Sequence, residues 1–270
     1  MILGAFILKM RSTGNASLPV SHGRLLHAAL LDLVRKYDED LSERLHNSNM
    51  KTFSIGLLNF GKLQPRLGNF HLEEDTVALW KVCSLDENLT RLLINIKKDT
   101  TFRIGRAYFS IEAMDFALNN EYDSSICNPD DLVEKSKFMV EFKNFTIRFV
   151  TPTTFRFYDQ DYPFPRADLI FGSLSEKWNM VNDSLSFDSD KLKDIAQQYL
   201  VPIKWEGETR RVNVSPKNGV TGFVGNFTFD MKTLPEEYRR IFIILLEFAQ
   251  FSGIGRLTGQ GLGSIKVMFN

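Results

Sequence analysis

Short β-rich runs alternate with helical periodicity in the order β-α-β-β-α-β, and the order then repeats. This predicts an α+β protein made of two tandem ferredoxin-like (RRM-like) βαββαβ domains. A polar stretch at 119–136, with Asn119-Asn120-Glu121, Asp123-Ser124-Ser125 and Asn128-Pro129-Asp130-Asp131, separates the halves as a linker. The domains are accordingly 1–125 and 137–270. Of the 270 residues, 43% are hydrophobic and 23 are Phe, enough for ordinary cores, so disorder throughout is excluded. No sequence repeat links the halves; the duplication rests on element order alone.

In the first half, residues 2–11 are read as a strand bounded by Ser12-Thr13-Gly14-Asn15. Leu26, Leu30, Leu33 and Tyr37 recur at helical spacing over Ser21–Tyr37, with Ser21 as N-cap, and a second helical piece covers Asp40–His46. Lys51–Leu58 and Thr76–Cys83 are read as paired strands, Leu85–Ile96 as a helix beginning near Ser84 or Asp86, and Phe102–Leu118 as a β-rich stretch bulged at Gly105. In the second half, Phe138–Phe157 is strand, and Asp168–Asn179 and Asp188–Tyr199 are helices. Pro202–Val214 and Val220–Met231 form a hairpin around Ser215-Pro216-Lys217-Asn218-Gly219. Pro235–Phe251 is a helix with Pro at its first turn and Ile241, Leu245 and Phe248 on one face, and Ile265–Phe269 is the closing strand.

Thirty-three basic residues balance 33 acidic ones, so a nucleic-acid partner has to be met by a local basic patch rather than by a global positive field. Cys83 and Cys127 form no CxxC pair, which argues against a disulfide framework or a cysteine zinc site and for a reducing cytoplasm. The opening run Met1–Lys9 lacks a basic n-region, and the apolar stretch Ile241–Ala249 is interrupted by Glu247 and far shorter than the roughly 18 residues a membrane span needs. A soluble chain without a membrane partner is the expectation. The four histidines have no metal spacing: His22 and His27 are not at i,i+4, HExxH is absent, and His71 has no supporting neighbour.

The segment Ser252-Gly253-Ile-Gly255-Arg256-Leu-Thr-Gly259-Gln-Gly261-Leu-Gly263 is dense in glycine. Such a loop can offer backbone N–H groups to phosphates, and Arg256 within it suits forked phosphate contacts. It is neither a dinucleotide fingerprint, since Thr258 stands where the third Gly belongs, nor a P-loop. It follows a helix and precedes a strand, the reverse of both. A helix C-cap plus a turn is the plain reading for two glycines; five with an arginine read as backbone or RNA contact. Arg210, Arg211 and Lys217 on or beside the hairpin, near Lys204, are further candidate phosphate contacts, Lys97-Lys98, Arg103 and Arg106 make another local basic cluster, and Phe223 and Phe227 are read as core.

Taken together, these stretches resemble the CRISPR repeat-processing endoribonucleases, the sixth Cas family within the repeat-associated RNA-binding superfamily. The resemblance runs through Leu18-Pro19, His22-Gly23, Leu26-His27-Ala28-Ala29, Leu41-Ser-Glu-Arg-Leu-His46 and Lys51-Thr-Phe53-Ser54. It continues through Thr151-Pro152-Thr153-Thr154-Phe155, Phe171-Gly-Ser-Leu174 with Trp178, Gly222-Phe-Val-Gly225 and the Gly-rich loop. It implies metal-independent, cofactor-free cleavage of CRISPR precursor RNA, in which the ribose 2′-hydroxyl attacks the adjacent phosphate to leave a 2′,3′-cyclic phosphate and a 5′-hydroxyl. The family's histidine lands on His46 and its lysine on Lys51; its tyrosine falls at Leu31, which cannot transfer a proton, and His27, about one turn earlier, is the substitute. Histidine gives and takes protons near neutrality, and a fixed lysine stabilises charge developing on a phosphate. The partners implied are CRISPR repeat RNA and, left open, other effector-complex subunits or a second copy of the chain. The alternative function is a catalytically silent RNA-binding subunit of such a complex; a protein-binding scaffold is the third reading.

Overall fold

The computed structural model describes residues 1–115, 117–118, 122–123, 126–214 and 218–270. The chain divides into two compact units: Ile2–Ile126 with Gly259–Gly261, and Met1 with Cys127–Thr258 and Leu262–Asn270.

The first unit runs β1 (Leu3–Ser12), β2 (Ala16–Pro19), α1 (Gly23–Arg35), α2 (Glu39–Asn47), β3 (Phe53–Ile55), β4 (Asn69–Leu72), β5 (Val77–Ser84), α3 (Glu87–Ile94), β6 (Thr101–Ile104) and β7 (Ala107–Asp115). Two short pairs accompany the main sheet, β2 with β4 and β8 (Ala117–Leu118) with β9 (Tyr122–Asp123). The antiparallel order β3-β5-β1-β7 is that of a ferredoxin-like sheet, extended by β6. Alternate residues of β1 (Phe6, Leu8, Met10) and of β5 (Ala78, Trp80, Val82) meet the helical stripes Leu26, Leu30, Leu33 of α1 and Leu89, Leu93 of α3 in one buried core.

The second unit follows β10 (Ile126–Cys127) with α4 (Pro129–Ser136), β11 (Asn144–Thr153), the hairpin β12 (Phe155–Phe157) and β13 (Gln160–Tyr162), α5 (Ala167–Val181) and α6 (Ser189–Tyr199). It closes with β14 (Val201–Asn213), β15 (Gly219–Asp230), α7 (Glu236–Ser252) and β16 (Ile265–Phe269). Its sheet order, β14-β15-β11-β16, repeats that of the first unit. Phe145 on β11 lies 6.1 Å from Phe171 of α5, which lies 4.3 Å from Phe242 of α7, so phenylalanines carry the core from sheet to helices. Phe223 and Phe227 are buried in it, as the sequence suggests.

Several elements differ from the sequence reading. The polar linker contains α4, whose Asn128–Asp131 capping box and Pro at its first turn start a helix where the composition suggests a turn. The strand read over 138–157 begins only at Asn144. The 102–118 stretch is not one bulged strand: Gly105, at φ 62°, opens a two-residue turn between β6 and β7. Lys51–Leu58 contributes only Phe53–Ile55 as strand, and the N-cap of α1 is His22, not Ser21. Among the described residues, no helix is long and apolar enough to cross a membrane.

Candidate active site and nucleic-acid interface

His22 and His27 lie one helical turn apart and do different work. His22 is buried; its Nδ1–H donates to the Pro19 carbonyl at 2.9 Å, and its Nε2 accepts the Leu58 N–H at 3.0 Å. Both nitrogens are occupied, burial holds its pKa below the ordinary value, and the residue ties α1 to the strand-flanking chain. His27 also fixes one nitrogen: Nδ1–H donates to the Gly259 carbonyl at 2.8 Å. A carbonyl can only accept, so the proton sits on Nδ1 and the lone pair on Nε2. The ring rests 5.4 Å from that of Phe53. Burial lowers its pKa, the Gly259 bond partly offsets this, and Lys51, His46 and Arg24 lower it further. Burial thus favours the neutral form of His27.

The second element, α2, is capped at both ends. The Asp38 side chain accepts the Leu41 N–H at 2.8 Å, and Glu39 and Asp40 occupy the first turn. At the other end the Lys51 ammonium donates to the carbonyls of Leu45, His46 and Ser48 at 3.2, 2.5 and 2.7 Å. Its three protons thus terminate the helix, where a cation also opposes the macrodipole. Burial lowers the Lys51 pKa. Lys51 holds the His46 backbone, while the His46 side chain is exposed.

The Gly-rich segment splits between the units. Gly259–Gly261 belongs with the first: a Cβ on Gly259 would stand 3.4 Å from Lys51 Cγ, the Gln260 carbonyl occupies the space a side chain at Gly23 would need, and Gly261 has φ 85°. Gly259 is the common neighbour of His27 and Lys51, and through them the structure gathers His27, His46 and Lys51 in one place. The rest of the segment belongs with the second unit. Gly253, Gly255 and Gly263 have positive φ, and a Cβ on Gly263 would strike the Ile254 carbonyl, so these glycines are required by the loop itself. Arg256 is engaged twice, its backbone N–H on the Thr154 carbonyl at 2.9 Å and its guanidinium on Asp161. Arg210 is paired with Glu208 at 2.7 Å, and exposed Arg211 lies over Gly219. Lys217 lies outside the described residues.

Sequence reasoning missed two contributors. The Gly259 carbonyl is a backbone atom 232 residues from His27, invisible to any spacing rule. Lys177 is buried in α5 with Nζ 3.3–3.4 Å from the carbonyls of Ser252, Gly253 and Gly255, and burial lowers its pKa to about 8. It braces the C-terminus of α7 and the start of the Gly-rich loop. Among the described residues no group of three or more His, Cys, Asp or Glu side chains is placed to hold a metal ion.

Comparison with known families matches the CRISPR Cas6 N-terminal domain over residues 5–123 and the CRISPR-associated endoribonuclease Cas6 over residues 147–265. The chain belongs to the Cas6 family. A Mycobacterium tuberculosis Cas6 endoribonuclease is 25% identical over 251 residues, spanning 91% of this chain and 71% of its own length. A Streptococcus thermophilus Cas6 is 32% identical over 127 residues, 46% of this chain and 50% of that protein. Among solved structures, a Thermus thermophilus Cas6 superposes with TM-score 0.71 at 20% identity, covering 99% of this chain and 98% of the other. A Cas6 product complex superposes with TM-score 0.79, also at 20% identity and with 99% coverage of both chains. At that identity the structures establish the fold, and it is the Cas6 pair of ferredoxin-like domains.

Proposed function

We propose that this Cas6 cleaves CRISPR precursor RNA within its repeats, without a metal ion, by 2′-hydroxyl attack that leaves a 2′,3′-cyclic phosphate and a 5′-hydroxyl. The observation that carries this reading is the His27–Gly259 bond, which fixes the proton of the neutral imidazole on Nδ1 and leaves Nε2 unprotonated, while burial favours that neutral form. In that state His27 is the general base for the 2′-hydroxyl. His46, exposed at the last turn of α2, is the general acid that gives a proton to the departing 5′ oxygen. Lys51 keeps that turn formed and adds a fixed positive charge beside the phosphate as its charge grows. Family membership supports RNA as the substrate, as do structural neighbours described as product and substrate-mimic complexes of Cas6 and as a RAMP protein binding different RNA substrates.

The test is end-labelled repeat RNA from the source genome, incubated with the protein in excess EDTA, beside the same RNA with one 2′-deoxy substitution at the cut. One discrete cut that the deoxy substitution abolishes is expected. His27→Ala and His46→Ala each lower the cleavage rate by about a hundredfold or more while retaining RNA affinity. Cleavage lost in EDTA overturns the metal-free reading, and tight binding without cleavage assigns the chain to a non-catalytic RNA-binding role.

A further inference from the structure

The hairpin β12–β13 turns through Tyr158 and Asp159, whose φ values are 44° and 60°. Positive φ at both central positions is the turn that Asn-Gly or Asp-Gly ordinarily supplies, so a tyrosine there is locally unfavourable. Tyr158 is also 87% exposed. Beneath it the side chains stack and pair. The Phe157 ring lies 4.5 Å from that of Tyr158 and 5.6 Å from that of Tyr162. The Arg166 guanidinium sits 4.6 Å over the Phe157 ring and is held by Asp168 through a fork of 3.0 and 2.6 Å. Asp168, Arg166, Phe157 and Tyr158 thus form a braced column ending in an aromatic face that the core does not use.

Arginines border this column, but their charge is largely answered: Arg156 is 3.5 Å from Asp159 and 3.9 Å from Asp161, and Arg256 is paired with Asp161. A surface so balanced suits the flat face of a base better than a phosphate. We propose that Tyr158 is a stacking platform for one unpaired base of the RNA, a binding residue that accepts any base because every base has a π-face. This rests on the reading above that the chain's substrate is repeat RNA.

The experiment uses the uncleavable 2′-deoxy repeat RNA carrying 2-aminopurine at one unpaired position at a time. With the wild-type protein, fluorescence is quenched on binding at one position. Tyr158→Phe preserves the quenching, whereas Tyr158→Ala abolishes it and weakens affinity about tenfold. Tyr158→Gly weakens binding equally yet melts no lower than wild type, because glycine accepts the positive φ. An abasic nucleotide at the quenched position weakens wild type by the same factor and Tyr158→Ala no further. Identical quenching and affinity in wild type and Tyr158→Ala overturn the platform. Failure of the wild-type protein itself to bind repeat RNA overturns instead the substrate reading on which the platform rests.

Discussion

His22, the N-cap of α1, and His27, within that helix, share a depressed pKa, yet His22 uses both ring nitrogens in hydrogen bonds and His27 one, which separates a structural group from the proposed general base. Burial holds both below 6.5, so when the pH falls through that value the unfolded chain takes up protons that the folded chain refuses. The stability they confer is complete above pH 6.5 and drains away as the pH drops toward their folded-state values. For His22 the loss has a specific cause: protonating Nε2 abolishes the acceptor for the Leu58 N–H. Urea unfolding at pH 7.5 and 5.5 is expected to show a clear loss of stability in the wild-type protein. His22→Asn, less stable by about 1–3 kcal/mol at pH 7.5 through its unpaired buried backbone groups, narrows the difference between the two pH values. The side chains of the proposed reaction, His46, Lys51 and His27, stand out in the sequence by residue type and family resemblance. Their partners do not, because the Gly259 carbonyl and the three carbonyls around Lys51 are backbone atoms, whose position depends on tertiary folding alone.

Elements with strong periodicity or long β-rich runs read correctly, α7 and the β14–β15 hairpin above all. Those defined by a local device did not. In α4, Asn-Pro-Asp-Asp has the composition of a turn but the hydrogen bonding of a capping box; at Gly105, a single positive φ divides one apparent strand into two. Likewise α2 owes its last turn to a residue outside it. Lys51→Met leaves the carbonyls of Leu45, His46 and Ser48 without their cation and is expected to lower stability by about 1 kcal/mol. Because His46 rides on that turn, the same variant should cut more slowly while binding repeat RNA nearly as well. A paired measurement of cleavage rate and Kd separates this outcome from general loss of folding, which would depress both.

Both units share one strand order, yet their chemistry differs: the histidines lie in the first, and the second supplies the β12–β13 and β14–β15 hairpins and most of the Gly-rich segment. With 33 basic and 33 acidic residues, the molecule as a whole exerts no attraction on a polyanion. RNA affinity must then come from individual cations, and the structure distinguishes them by what already neutralises them. Arg210 answers Glu208 and Arg256 answers Asp161, whereas Arg211 has no ion pair among the described residues. An arginine that stays paired with its carboxylate neutralises little of a phosphate and releases little net counterion; one that stands alone releases its full share. Each phosphate contact on a single strand contributes about 0.7 to the slope of log affinity against log salt. Arg211→Ala should therefore reduce that slope by about 0.7, and Arg210→Ala and Arg256→Ala by clearly less. Filter binding of uncleavable repeat RNA across a salt series reads the three slopes directly. Equal reductions for all three would show that the carboxylates of Glu208 and Asp161 leave their arginines on RNA binding, so that the ion pairs hold the side chains ready without diminishing their charge.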